Sequence, residues 1–311
     1  MRVWNHLASQ NTGYVFSLSD SMRILEAKNP GVLADVSDSS MIIGSDYSGQ
    51  HKGAKYEAYT FLITTEGALE AWLPSLAKFR QQWLLDGRRI SFKKLNEPVR
   101  WRALPAFLRT VGTLRANLIT ILVDSRIGSF MLGGAEAAIE AFPDCFSSSA
   151  NRGTVEKMLR LANFMSLVIG GLRRENQKSV WVSDHDEALD SHEKREQFAR
   201  LATYLTLGVT GWRNPAHHHF GTTELPQAPY WSEDVAAVAD LVAGAYCQMS
   251  SNLPAFLGTE NWRIAADSEK VADLRARAIG NWLATSRSEM RHALLQLEQD
   301  AQGRVRSSAQ S

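Results

Sequence analysis

The chain of 311 residues is 44% hydrophobic and 22% charged, with 34 Lys and Arg against 33 Asp and Glu for a formal net charge of +1. This is globular composition with ample apolar content for a packed core, which excludes disordered, collagenous and coiled-coil chains; the balanced charge excludes a protein that coats nucleic acid or membrane by bulk charge. The two cysteines, Cys145 and Cys247, stand far apart, so neither a disulfide scaffold nor a multi-cysteine zinc site is available, and a reducing, cytoplasmic setting is expected.

Residues 1–38 carry Ser and Asp clusters without a firm period and are read as a peripheral N-terminal segment. From Met41 the pattern sharpens. MIIGSDYSG is an apolar run that ends on an acid and a turn, and residues 58–65, AYTFLITT, are β-branched and aromatic-rich, so two adjacent strands are predicted. Residues 68–85 space Leu69, Trp72, Leu73, Leu76, Phe79 and Trp83 at helical intervals, with Pro74 tolerated in the first turns. RISFKKL at 89–95 alternates like a strand, 99–114 reads as helix, and NLITILV at 117–123 is a continuous apolar run of buried-strand type ending at Asp124.

In the second half Thr154 is expected to cap a helix whose apolar face includes Val155, Met158, Leu159, Ala162, Met165 and Ile169, closed by Gly170 and Gly171. SVWVSDHDE at 179–187 is a strand ending in acids, 204–210 a further strand, and 212–231 a loop rich in Pro, Gly and His. A helix over 232–249 carries Ser232 as its cap and Glu233 and Asp234 in its first turn. A terminal amphipathic helix over 268–299 and a frayed last dozen residues complete the chain. Alternating strands and helices with a hairpin at the start predict an α/β fold on a mixed sheet. The longest apolar stretches, 161–172 and 235–249, fall short of the ~20 residues a bilayer requires, so no membrane partner is expected.

Three predicted strands end on acids, Asp46, Asp124 and Asp184, the last followed by His185, Asp186 and Glu187. Ligands of open α/β sheets bind outside strand ends, so carboxylates delivered there from different strands can converge on a divalent metal pair; each acid taken alone reads first as a turn residue. Asp240 is the one charged side chain between Asp234 and Gln248, and its helical neighbours Ala237 and Gly244 let that face approach a sheet closely. An ionised carboxylate there needs a metal or a donor. His217, His218 and His219 point alternately along an extended segment and make a poor chelate. Gln50 and His51 stand where a phosphate loop needs Lys and Ser or Thr, and no dinucleotide fingerprint or nucleophile elbow is present. Trp72, Trp83 and Trp282 fall on apolar helix faces, whereas Trp212 and Trp231 flank the histidine loop and are better placed for a ligand.

D-Y-S-G at Asp46 to Gly49 after an apolar strand, the acid closing SVWVSD, and V-A-D-L-V-A-G-A around Asp240 resemble the ribonuclease H-like family catalogued as domain of unknown function 3800. That family opens with D-E-S-G on its first strand, has an acid after a later strand and ends on a helix reading A-D-L-[IV]-A-G. The resemblance runs from about Met41 to Tyr246. It implies a ribonuclease H-like mixed sheet flanked by helices over residues 39–250, with residues 251–311 an extra C-terminal helical extension and tail. It also implies Asp46, Asp184 and Asp240 as catalytic metal ligands for Mg²⁺ or Mn²⁺, and Ser48 and Gly49 as the turn past the metal. Tyr47 replaces the acid of D-E-S-G, and ISFKKL lacks the Glu that relatives often carry, so either one ligand is missing or it comes from Glu57, Asp186 or Glu187.

The function implied is two-metal hydrolysis of phosphodiester bonds in DNA or RNA, with Ser48, Lys93 and Lys94, and further out Arg100 and Arg102, as substrate contacts. The alternative is a catalytically silent module that binds nucleic acid or a protein partner, or a second copy through the apolar face that Val271, Leu274, Ala278, Leu283, Leu294 and Leu297 would form on a C-terminal helix.

Overall fold

A computed structural model describes residues 2–7, 13–51, 53–184, 186–212, 218–223, 231–252, 273–285 and 289–311. The strands are β1 (Met41–Ser48), β2 (Tyr56–Thr65), β3 (Ala116–Asp124), β4 (Ser179–Ser183), β5 (His218–Thr222), β6 (Met290–Gln299) and β7 (Val305–Gln310). The helices are α1 (Tyr14–Lys28), α2 (Glu66–Trp83), α3 (Pro98–Gly112), α4 (Gly134–Ala141), α5 (Arg152–Leu172), α6 (His192–Thr210), α7 (Trp231–Asn252) and α8 (Leu274–Thr285). The fold is α/β, and the seven strands form one sheet in the order β5-β4-β1-β2-β3-β6-β7. β1, β2 and β3 form an antiparallel meander. β4 lies parallel to β1, β5 parallel to β4, β6 parallel to β3, and β7 closes the far edge antiparallel to β6.

Alternation along the central strands sorts their side chains into two cores. Met41, Ile43, Phe61, Ile119 and Ile121 face one side, where α1, α4, α5 and α6 pack. Ile42, Leu62, Leu118 and Leu122 face the other, covered by α2, α3, α7 and α8. β3 is buried along its whole length, as its continuous apolar run predicts for a strand covered on both faces. Each fully buried Leu or Ile here contributes about 1.5–3 kcal/mol. Thr65 caps α2 by accepting from the Ala68 amide, and the cap of α5 is Asn151, which accepts from the amide of Thr154, the residue the sequence put in that role.

Several expectations are corrected. Residues 204–210 are the last turns of α6 rather than a strand: β-branched residues there are outweighed by a helical face, Phe198, Leu201, Ala202 and Thr206, that is buried. RISFKKL is no strand either; its Phe92–Lys94 forms a single 3-10 turn. The expected terminal helix is two elements, α8 and then strand β6, and the last residues pair as β7 instead of fraying. Leu294 and Leu297 are therefore fully buried in the sheet, and Leu283 is buried too, which removes most of the apolar face proposed for a second copy. Residues 268–272, Val271 among them, lie outside the described residues. The N-terminal segment is not peripheral: Trp4, Leu7, Val15, Leu18 and Met22 are all core residues. Part of the histidine loop is β5, with His218 and His219 in it and His217 outside the described residues.

Candidate active site

Three of the four acids singled out by sequence meet where β1 and β4 end. Asp46 is the sixth residue of β1, and period-two alternation puts Gly44, Asp46 and Ser48 on the face that α7 covers. β4 runs parallel in register, Ser45 opposite Ser183, and the Asp184 amide donates to the Ser45 carbonyl at 3.0 Å. Asp184 thus leaves its strand beside Asp46. The third acid arrives from α7, which packs tightly because Gly44 has no side chain: a Cβ there would stand 2.4 Å from Val235 Cγ1. Asp240 lies on the same helix, and its Oδ2 accepts from the Phe92 amide at 2.8 Å. One turn on, Gly244 receives the Phe92 ring, where a Cβ would come within 2.4 Å. Asp240 and Gly244 together seat the segment 89–95 against α7.

That segment carries Arg89. Its guanidinium grips Asp184 with both nitrogens, Nη1 to Oδ1 at 2.6 Å and Nη2 to Oδ2 at 2.8 Å, and Thr223 Oγ1 donates to Oδ1 at 2.9 Å. Arg100, buried, donates from Nε to the Arg89 carbonyl at 2.8 Å and pairs with Glu97, so it positions Arg89 instead of meeting a phosphate. Arg102 donates to the Pro98 carbonyl of its own helix.

The electrostatics follow from this crowding. Burial, then the charges of Asp240 and Asp184, push the Asp46 carboxyl well above the ordinary carboxylate range, against relief from the Tyr47 amide and Arg89. Burial also raises Asp240, with Asp184 adding to it, while the Phe92 amide and the Ser91 hydroxyl pull the other way. Arg89 is raised above its usual value: burial opposes its charge, but Asp184, then Asp240 and Glu233, outweigh it. With all three acids ionised, one guanidinium leaves the group strongly negative.

The hard oxygen donors of this group suit Mg²⁺ or Mn²⁺ in kind and in charge. Their spacing is that of carboxylates held by Arg89 and backbone amides; among the described residues no three His, Cys, Asp or Glu side chains stand in metal-holding geometry.

The remaining predicted residues fall as follows. Ser48, half-buried, ends β1 on the Asp46 face, and Gly49 turns the chain at φ +85°, where a Cβ would also strike the Tyr56 carbonyl at 2.3 Å. Lys93 and Lys94 are exposed on the turn that begins with the Asp240 contact. Glu187 is exposed on the one-turn helix Glu187–Leu189. Asp186 caps that turn and pairs with Lys157 at 2.6 Å, and Glu57 pairs with Arg160 at 2.6 Å, so each already has a cation of its own. Asp124 also stands apart, in register with Tyr56 and bound by Arg126, which together with backbone amides holds its carboxyl below the usual range despite burial. Tyr47 turns to the opposite face, where its hydroxyl bonds Ser45 and Ser183 and its ring packs on Tyr59, so the residue that departs from D-E-S-G points away from the acids. Arg89 and Thr223 were missed by sequence reading. Each acts through a partner distant in the chain, and no local pattern marks it.

Compared with protein-family models, with curated proteins and with solved structures, the chain matches none of them.

Proposed function

We propose that this protein is a divalent-metal-dependent nuclease of ribonuclease H-like fold, hydrolysing phosphodiester bonds of DNA or RNA. The observation that carries the reading is the meeting of Asp46 on β1, Asp184 after β4 and Asp240 on α7 in one shared field, on the elements where the resemblance puts its acids. A mixed sheet flanked by helices supports the reading, since the resemblance implies one.

In this reading Asp46, Asp184 and Asp240 hold Mg²⁺ or Mn²⁺. Such ions, when bound, activate water and stabilise the leaving oxygen. The chain's own side chains do the rest. Asp46 provides the carboxylate least committed to a donor. The Phe92 amide and Ser91 orient Asp240, and Thr223 orients Asp184. Lys93 and Lys94 offer exposed charge to the phosphate backbone beside the acids. No helix among the described residues is long and apolar enough to cross a membrane, and both cysteines are buried thiols, in keeping with a cytoplasmic enzyme.

A second reading draws on the bidentate Arg89–Asp184 pair: Arg89 is the permanent counter-ion of the acids, and the protein binds nucleic acid without cutting it. Incubating the purified protein with labelled single- and double-stranded DNA and RNA, under Mg²⁺, Mn²⁺ or EDTA, separates the two. Cleavage that needs metal and vanishes in Asp46→Asn is the expected result; binding without cleavage under either metal establishes the second reading.

A further inference from the structure

We propose that Arg173, with Arg174 and the Trp212 ring, forms a binding site for a small oxyanion, a phosphate or a carboxylate group. Arg173 closes α5 and is fully buried, one of the largest side chains to be so. A buried guanidinium is ordinarily paired with an acid, because taking its charge out of water is costly. Among the described residues none pairs with this one. Its Nη1 meets the His218 ring at 3.1 Å and its Nη2 donates to the backbone carbonyl of Glu175 at 3.1 Å. Its Nε is buried without an acceptor among the described residues. Trp212 lies across the guanidinium at 4.6 Å, an arrangement that leaves the planar edge of donors in place.

The neighbours compensate that charge only in part, through the nearby Glu175. His218 is kept neutral, pulled down to about 4 by burial and then by Arg173 and His219, and its Nδ1 is engaged by Ser179 Oγ at 2.6 Å. Glu175 is exposed and offers its carbonyl. Burial alone pulls Arg173 down to about 10, with Glu175 the charge that opposes it, so it remains a cation at neutral pH. Arg173 lines a cavity of about 360 Å³ together with Arg174, Trp212, Thr210 and Leu7, with Glu175 the one acid in the lining against two arginines. A planar fork of N–H donors in such a place is built for two oxygens of one anion.

The site is independent of the acids. His218 is in register with Ser179, four residues before Ser183, or about 13 Å along the strand from the end where Asp184 emerges. Ser179 and His218 also lie on the α5 and α6 side of the sheet, away from α7. The inference therefore stands or falls apart from the nuclease reading.

The test is calorimetric titration of the full chain with inorganic phosphate, and separately with citrate, in chloride buffer of matched ionic strength. Saturable one-site binding is expected, weakened at least tenfold in Arg173→Lys, which keeps the charge and removes the fork, and severalfold in Arg174→Ala, an exposed position that leaves the melting temperature unchanged. Which anion binds more tightly names the source of the oxyanion. Absence of saturable binding for both anions overturns the proposal, as does binding that Arg174→Ala leaves untouched, whether or not the Arg173 variant folds.

Discussion

Asp46 bears an electrostatic cost from burial and from its two acidic neighbours, and the cost has a sign that can be measured. A carboxyl held above its ordinary value of 3.8 takes up a proton on folding, so its contribution to stability is present at low pH and is lost as pH rises through the folded value. In EDTA at pH 7, Asp46→Asn should melt above wild type, by about 2–4 °C for a chain of this size, and the advantage should vanish near pH 4. Calorimetry across that range checks it; a lower melting temperature at pH 7 would mean that Asp46 is stabilised by its surroundings after all. Arg89 separates the two functional readings at the same scale. Arg89→Met strips Asp184 of the guanidinium that grips it and should destabilise the metal-free protein by about 1–3 kcal/mol. If the acids hold Mg²⁺ or Mn²⁺, millimolar metal recovers most of that loss in the variant and shifts wild type less. A variant that metal does not rescue would leave Arg89 as the permanent counter-ion. The acids were legible because strand ends and a lone charge on an apolar helix are local patterns. Arg89 was not, because its partner lies 95 residues along the chain.

Between elements, the contact that assembles the site is α7 on β1, and it depends on the absence of a side chain at Gly44. A methyl group there would meet Val235 Cγ1 at 2.4 Å and the Val235 backbone at 3.0 Å, so the helix itself has to move. Gly44→Ala should cost about 1–3 kcal/mol, and it should displace Asp240; on the proposed nuclease reading, cleavage then falls even at temperatures where the variant stays folded. Urea unfolding beside the cleavage assay separates these effects; wild-type stability in the variant would show that α7 is not held as closely as described. The β5 edge carries a different signal. His218 has an ordinary value of 6.5 and is pulled down to about 4 in the fold, so the stability it lends is complete above pH 6.5 and is lost as pH falls towards 4. The difference in melting temperature between wild type and His218→Gln should shrink over that window. The elements also explain which sequence readings succeeded. Long runs with one period, such as α2, α3, α5 and β3, were recovered nearly whole. β5, HHFGT, has neither an apolar run nor alternation, and it becomes a strand because β4 offers it an edge. In MRHALLQLEQ, Leu294 and Leu297 are spaced for a helix, yet both faces of this segment are buried by tertiary packing, and the pairing with β3 decides.

At the scale of the whole molecule, both ends of the chain return to one sheet. Ser21 and Ser307 hydroxyls meet at 2.9 Å and Ser307 Oγ donates to the Ser17 carbonyl at 3.0 Å, tying α1 to β7. β6 separates the buried strand β3 from β7, and Ala293, Leu294, Leu295 and Leu297 feed both cores. The C-terminal region is thus structural to the same body that presents the acids, although its sequence reads as an appendage. Truncation after Thr285 tests this directly. It would remove β6 and β7, strip apolar cover from both faces, and leave β3, whose nine residues are all buried, as a bare hydrophobic edge. Exposed edges of that kind recruit other chains. The truncated protein should therefore fail to fold cooperatively: low solubility, binding of a hydrophobic dye and no sharp thermal transition by circular dichroism. A soluble truncation with a sharp transition would instead show that residues up to 285 fold as a unit and that β6 and β7 are added to a sheet already complete without them.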